Sequence, residues 1–374
     1  MEQIKSLGLP NLHGIKGEIR AFLPSFIEKL RSYDVDIVLE EGYGEEMSIS
    51  KEAYLRANKH LHFASHDEVY RQDLVIVLKA PYMDQLEFMK NGAGLISMLH
   101  YDSRPKLVDK LRQKGIISYS MDSIVDDQHA RMVVTYELTA LGGVKTAFKE
   151  MSRHKKDFFS KDRGPIRVTI IGMGNLGIQA GRASMILGDR ELLKRLRKED
   201  IPGVMVQYLG RDVTKYIHLL VELFKDTDLL IDATSRVDFS KYIVPNELIG
   251  MMKKDAVILD LTADPYDVSV EPMQVKAIEG LPTGTLDKFV FETDAEEYNR
   301  IPRQVSTKNR RLTISNNGWP GVLPVESMKI YEEQLLPFLH VLLTKGHQIS
   351  LQSDNPYERA LFRSTLEYFI NNKG

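Results

Sequence analysis

The sequence predicts an α/β protein of two Rossmann-like, doubly wound domains flanking a cleft. Three observations carry this expectation. Strand-like apolar runs alternate with helix-like stretches along the chain, the pattern of mostly parallel sheets covered by helices. A glycine triplet, Gly172, Gly174 and Gly177, stands between one such strand and a helix. The length, 374 residues, suffices for two hydrophobic cores.

In the first third, "VDIVLEEG", "DLVIVLKAP", "AGLISMLH" and "GIISYSMD" read as strands. Val75 to Leu78 are an unbroken apolar run, as expected of a strand buried on both faces. "LPSFIEKLRS", "MDQLEFMKN" and "RPKLVDKLRQK" read as helices. "DQHARMVVTYELTALGGVKTAFKEMSRHK" follows as one long proline-free helical pattern, a connector between domains, and "FFSKDRGP" reads as a linker. A second α/β series runs through "IRVTIIGMGNLG", "GVMVQYLG", "DLLIDAT" and "AVILDLTAD". The charged insert "DRELLKRLRKED" reads as a solvated helix. The last helical stretch contains Pro337, which is expected to kink or interrupt it.

Composition narrows the function. Hydrophobic residues make up 43% and charged residues 27%, with a formal net charge of -2. No global field points to nucleic acid or an anionic membrane. The absence of cysteine removes disulfides, thiolate nucleophiles and cysteine-held metals, and fits a cytoplasmic protein. The opening residues lack the pattern of a signal peptide, and no apolar run approaches a membrane span. His13, His62, His66, His129, His154, His340 and His347 show no metal-ligand spacing, so no metal site is expected.

The glycine triplet has G-x-G-x-x-G spacing. Val168 to Ile171 form the strand before it, and "IQAGRASMIL" has helix character after it. This is the context of the dinucleotide fingerprint. The first glycine allows a tight turn, the second lets backbone approach pyrophosphate, and the third lets helix and strand pack closely. Gly172, Gly174, Asn175, Leu176 and Gly177 are therefore candidate cofactor contacts. An acid is expected at the end of the second strand, to hold the ribose. Here that strand ends in Gly210, Arg211 and Asp212. Arg211 could pair with a 2′-phosphate, which leans the choice within NAD(P) toward NADP; Asp212 could serve as a displaced ribose acceptor. The plainer alternative is an exposed Arg-Asp pair in a loop.

In the first domain, Arg20 is placed just after a strand and just before a helix, and Lys79 and His100 end successive strands. Ligands of parallel α/β folds bind beyond the carboxyl ends of strands, so Lys79 and His100 should open onto one edge. Arginine can grip a carboxylate with two hydrogen bonds, histidine exchanges protons near neutrality, and a lysine near other cations can have its pKa lowered. Against this, Arg20 could pair with Glu18 or Glu40 on the surface, Lys79 could reach past the sheet to water, and Asp264 could simply start the Asp264-Pro265 turn.

At these residues the sequence resembles alanine dehydrogenase, the transhydrogenase NAD-binding subunit and lysine-forming saccharopine dehydrogenase. "GEIRAFLP" is similar to their E-x-R-x-x-L-T-P segment, Lys79-Ala80-Pro81 to their Lys-x-Pro, and Leu99-His100 to their Leu-His. "AVILDLTADPYD" resembles the strand whose end carries the family aspartate, which falls on Asp264. "NNGWPGVLPVESMKIYEEQLLPFL" resembles the closing segment. The connector looks closer to the saccharopine enzymes, yet their cysteine pair is absent.

The resemblance implies a substrate and catalytic domain of residues 1–139 plus 326–374, and a dinucleotide domain of residues 140–325. It implies that Arg20 binds the substrate carboxylate, Lys79 polarises the substrate oxygen, His100 is the acid and base, and Asp264 sits by the nicotinamide. The implied activity is an NAD(P)-dependent oxidoreductase of the amino-acid CH-NH or CH-NH2 group, with 2-oxo acid and amine substrates and a homo-oligomeric assembly. Two alternatives stay open. One is an opine-type synthase, carboxyethylornithine synthase-like, joining a 2-oxo acid to an amino-acid amine. The other is a nucleotide-sensing protein without turnover.

Overall fold

The computed structural model describes residues 3–236, 238–262 and 264–372. The chain divides into two compact units, Met1–Thr135 with Pro324–Gly374, and Tyr136–Leu323.

The first unit is built on six parallel strands: β1 (Ser6–Leu9), β2 (Asp36–Glu40), β3 (Leu61–Ala64), β4 (Leu74–Lys79), β5 (Gly94–Met98) and β6 (Ile117–Ser120). Their order is β3-β2-β1-β4-β5-β6. The winding reverses between β1 and β4, and such a switch point opens a crevice beyond the carboxyl ends of the two strands. Every residue of β4 before Lys79 is buried, as its apolar run requires.

Two of these strands escaped the sequence reading. "SLGL" and "LHFA" are four residues each, and the glycine and histidine in them blunt the pattern. They are strands because longer β2 pairs with both, Leu7 opposite Ile37 and Phe63 opposite Leu39. Arg20 consequently does not follow a strand directly. It lies in the long loop between β1 and the helix Pro24–Lys29. "MDQLEFMKN" is not a helix but a single tight turn, Gln85–Phe88. The connector helix runs over Tyr136–His154, nine residues later than its pattern begins.

Pro337 does not interrupt its helix, which is continuous over Pro324–Lys345. A mid-helix proline costs about 3 kcal/mol. Met328, Leu335, Phe338, Leu339 and Leu342 from this helix are buried in the core of the first unit, each contributing about 1.5–3 kcal/mol. Packing therefore outweighs the lost backbone bond.

The second unit carries β7 (Ile166–Ile171), β8 (Val204–Leu209), β9 (Leu229–Asp232), β10 (Val257–Asp260), β11 (Val290–Phe291) and β12 (Leu312–Ser315). The order is β11-β12-β10-β9-β7-β8, parallel except for the β11–β12 pair. Here the switch point lies between β7 and β9. The charged insert forms the helix Arg190–Lys198, with Leu196 its one buried residue among those described. Trp319 is buried, and its indole N–H donates to the Asp260 carbonyl at 2.7 Å, fixing the strand end of β10.

Candidate functional site

In the second unit the glycine loop leaves β7 at the switch point and enters the helix Asn175–Met185 with Gly174 as its cap. Gly172 has φ +106°, and a Cβ there would lie 2.4 Å from the Ala233 carbonyl oxygen. A Cβ on Gly177 would lie 2.2 Å from the Gly172 carbonyl oxygen. Both contacts hold the β7 turn against β9 and the helix. Gly174 differs: nothing lies within 4 Å of its Cβ position. It borders open space at a helix N-terminus, where backbone N–H groups and the helix dipole favour an anion. Asn175 is exposed there, and Leu176 packs inward on the core. These residues fit a dinucleotide pyrophosphate.

The contrast between two glycines is testable. Gly174→Ala has an ordinary φ of -75° and free space, so stability should change by less than about 0.5 kcal/mol while dinucleotide affinity falls about tenfold. Gly177→Ala should destabilise the second unit by about 1–3 kcal/mol. Urea unfolding followed by Trp319 fluorescence and dinucleotide titration separate the two. Equal loss of stability in both variants would contradict the assignment.

β8 ends at Leu209, and Gly210 caps the short helix Arg211–Thr214. Arg211 donates through Nη2 to the Ser235 carbonyl at 3.1 Å, which holds the guanidinium over the loop that follows β9. Asp212 points away. Its carboxylate pairs with Lys215 at 3.0 Å and is almost fully exposed.

The ends of β9 and β10 hold a buried acidic pair that the sequence reading passed over. Asp232 and Asp260 are register partners. Asp260 accepts from Lys276 at 2.8 Å and from Ser315 at 2.9 Å, so its charge is compensated. Asp232 accepts from the Thr234 backbone N–H. Burial, reinforced by the Asp260 charge, pushes the Asp232 carboxyl well above the ordinary carboxylate range. Asp264 pairs with Arg236 at 2.7 Å, and both side chains are largely buried. Burial raises the Asp264 pKa, the hydrogen bond and charge of Arg236 oppose it, and the net shift is upward. Asp264 is thus a largely buried acid engaged by Arg236.

In the first unit, Lys79 ends β4 opposite Met98 of β5, and His100 follows two residues later. The structure brings both onto one sheet edge, at the side of the β1/β4 switch point. The loop after β1 adds Glu18 and Arg20. Arg20 donates to Glu18 through Nε at 2.7 Å and Nη2 at 2.6 Å, and Lys79 Nζ lies 3.2 Å from the same carboxylate. The Glu18 and Arg20 side chains are 0% and 3% exposed. The pair is therefore internal, not the surface contact weighed from sequence. Glu18 uses two of the five guanidinium N–H groups, and Tyr331 engages the guanidinium as well. Burial raises the Glu18 pKa, but hydrogen bonding and charge from Arg20 and Lys79 outweigh it and the carboxyl is held below its ordinary range. Lys79 is lowered, first by burial and then by Arg20 and Arg104, against the pull of Glu18.

His100 stands in the left-handed region, φ 49°. Its Nδ1 lies 3.4 Å from Asp122, and its backbone N–H donates to the same carboxylate at 3.2 Å. Burial would raise Asp122, yet His100 and the Ser120 hydroxyl hold it well below the carboxylate range. A carboxylate on Nδ1 orients the ring and leaves Nε2 for proton transfer, the geometry of an oriented acid and base. Asp122, just beyond β6, carries no signal in the sequence that marks this role. Arg104, burial of which lowers its pKa, acts electrostatically on both Asp122 and Lys79.

A doubly wound sheet with a glycine loop at its switch point defines a dinucleotide-fold protein. Residues 16–139 match the family described as alanine dehydrogenase/PNT, N-terminal domain. Alanine dehydrogenase 1 of Staphylococcus aureus, strain MSSA476, is 22% identical over 319 residues, covering 80% of this chain and 82% of that protein; the protein of strain NCTC 8325 / PS 47 matches equally. The solved structure of an L-alanine dehydrogenase superposes with a TM-score of 0.69 at 17% identity, over 96% of this chain and 94% of that one. A transhydrogenase from Sinorhizobium meliloti gives 0.59 at 17% identity, over 91% and 96%. Over residues 16–139 the chain is similar to the alanine dehydrogenase/PNT family, and its fold is that of the alanine dehydrogenase and transhydrogenase structures. Among the described residues, no helix is long and apolar enough to cross a membrane.

Proposed function

We propose that this protein is an NAD(P)-dependent amino-acid dehydrogenase or reductive-amination enzyme, acting on the CH-NH2 or CH-NH group next to a carboxylate. The observation that carries the reading is the placement of two clusters, Glu18–Arg20–Lys79 and His100–Asp122, beyond the ends of the adjacent strands β4 and β5. Gly172, Gly174, Asn175, Leu176 and Gly177 hold the dinucleotide, which supplies or accepts the hydride when bound. Arg20, fixed by Glu18, receives the substrate carboxylate. Lys79 stabilises negative charge developing on the carbonyl or carbinolamine oxygen. His100 Nε2 gives or takes the proton, and Asp122 stabilises the imidazolium formed. The resemblance assigns Asp264, a largely buried acid whose raised pKa reflects desolvation, to the place beside the nicotinamide. Family relatives named as alanine dehydrogenases support ammonia as the amine and pyruvate as the oxo acid.

Arg104 favours a second reading. A further cation close enough to act electrostatically on Lys79 suits a substrate with a second carboxylate, as in the reductive joining of a 2-oxo acid to an amino acid. One experiment decides. Oxidation of NADH and NADPH is followed with pyruvate, glyoxylate or 2-oxoglutarate, each with ammonia, ornithine, lysine or no amine. Oxidation that needs an oxo acid and ammonia supports the dehydrogenase; a requirement for an amino-acid amine supports the opine-type synthase. No oxidation, with dinucleotide still bound, supports the sensor. Arg211 favours NADPH, and Arg211→Gln should reduce any preference for it about tenfold. An unchanged NADPH-to-NADH ratio in that variant removes Arg211 from the cofactor site.

A further inference from the structure

Absence of metal-ligand spacing along the chain says nothing of what folding brings together. Three segments of the first unit converge on one carboxylate. Glu40 ends β2, His13 lies in the loop after β1, and His66 opens the helix His66–Tyr70. His13 Nε2 contacts Glu40 Oε1, and His66 Nδ1 lies 3.0 Å from Glu40 Oε2. The ligand atoms of all three fall within 4.8 Å of one another, the one such grouping of histidine and carboxylate among the described residues.

The geometry points to a divalent transition-metal site, with zinc the fitting ion, formed by His13, Glu40 and His66. Two imidazoles and a carboxylate are a zinc donor set, leaving one tetrahedral position for water. Bonds of about 2.1 Å place tetrahedral ligand atoms about 3.4 Å apart, within reach of side-chain rotation from the present spacing. The set is supported from behind. Glu40 is buried and its Oε2 also accepts the Asn11 backbone N–H at 2.8 Å. The His66 ring is flanked by Tyr70 at 5.0 Å and Phe88 at 6.1 Å between centroids. The capping box of Ser65 and Glu68 fixes the first turn that carries it. Such outer contacts orient ligands before the ion arrives. His13 is half exposed, which provides the entry path.

The same loop that carries His13 carries Glu18 and Arg20. An ion here ties that loop to β2 and to the helix at His66, so its role is to clamp the loop.

The test uses the full chain, stripped with a chelator and titrated with zinc chloride by calorimetry, with cobalt(II) as a spectroscopic probe. The expected result is about one zinc per chain, a melting temperature that rises with zinc, and the visible absorption of tetrahedral cobalt. His13→Ala, an exposed change that should leave the fold intact, is expected to weaken zinc binding by more than the roughly 10–100-fold cost of an outer-shell change. His66→Gln should do the same. No saturable zinc binding, or binding unaltered in both variants, overturns the site. Loss of melting temperature in the variants that is equal with and without zinc also overturns it, and assigns the cluster to hydrogen bonding alone.

Discussion

Lys79→Met is expected to lower turnover by about 10²–10⁴-fold while dinucleotide affinity stays within about twofold. The residues that hold the dinucleotide belong to the second unit, and Lys79 belongs to the first. The fold should survive, because Glu18 keeps its two-point contact with Arg20 when the lysine is gone. Methionine keeps the stem that fills the end of β4 and removes only the ammonium. Lys79→Arg should not rescue. A guanidinium stays charged at every accessible pH and spreads that charge over a planar fork, whereas the site holds a compact ammonium with a lowered pKa. If the protonated lysine stabilises the oxygen, turnover falls as pH rises through its pKa, and that alkaline limb lies below the ordinary lysine value of 10.5. Steady-state kinetics across pH, with dinucleotide binding measured in parallel, check both parts. Turnover within tenfold of wild type in Lys79→Met would remove the lysine from the chemistry.

The fold class was legible because "VIVLK" is an apolar run and "IRVTII" a β-branched stretch, each long enough to be read without context. The strands "SLGL" and "LHFA" were not, since their pairing with β2 decides them. The candidate site divides in the same way. Lys79 and His100 could be read from strand ends, because topology alone puts strand ends together. The glycine loop could be read from spacing. Asp122 could not, because its role depends on the left-handed turn at His100 that brings the ring to it. Nor could the Asp232–Asp260 pair, which exists only in the register of β9 and β10. His13 and His66 are 27 and 26 residues from Glu40, so no local pattern could join them.

Glu18 shows most clearly what pairing adds to sequence, and its removal should have the largest effect on stability. Glu18→Gln keeps the shape and removes the charge, leaving the Arg20 guanidinium, 3% exposed, without its counter-ion. Breaking a buried pair this way costs about 3–5 kcal/mol. Lys79 can relax toward water, being 19% exposed; Arg20 cannot. Trp319 lies in the second unit and would report the wrong half of the molecule. Hydrogen exchange of peptides spanning β1 and β4 is the suitable readout. The double variant Glu18→Met, Arg20→Met should recover most of the loss, since two apolar side chains replace two desolvated charges, while remaining unable to hold a substrate carboxylate. The pH dependence follows from the sign of the shift. The Glu18 pKa is depressed below its ordinary value of 4.5, so its contribution is fully present above that value and is lost as pH falls through the lower folded-state pKa. Glu18→Gln should lack this acid-side loss. If Glu18→Gln costs less than about 1 kcal/mol, the pair behaves as a solvated surface contact, and Arg20 is free to turn to the substrate without Glu18 to hold it.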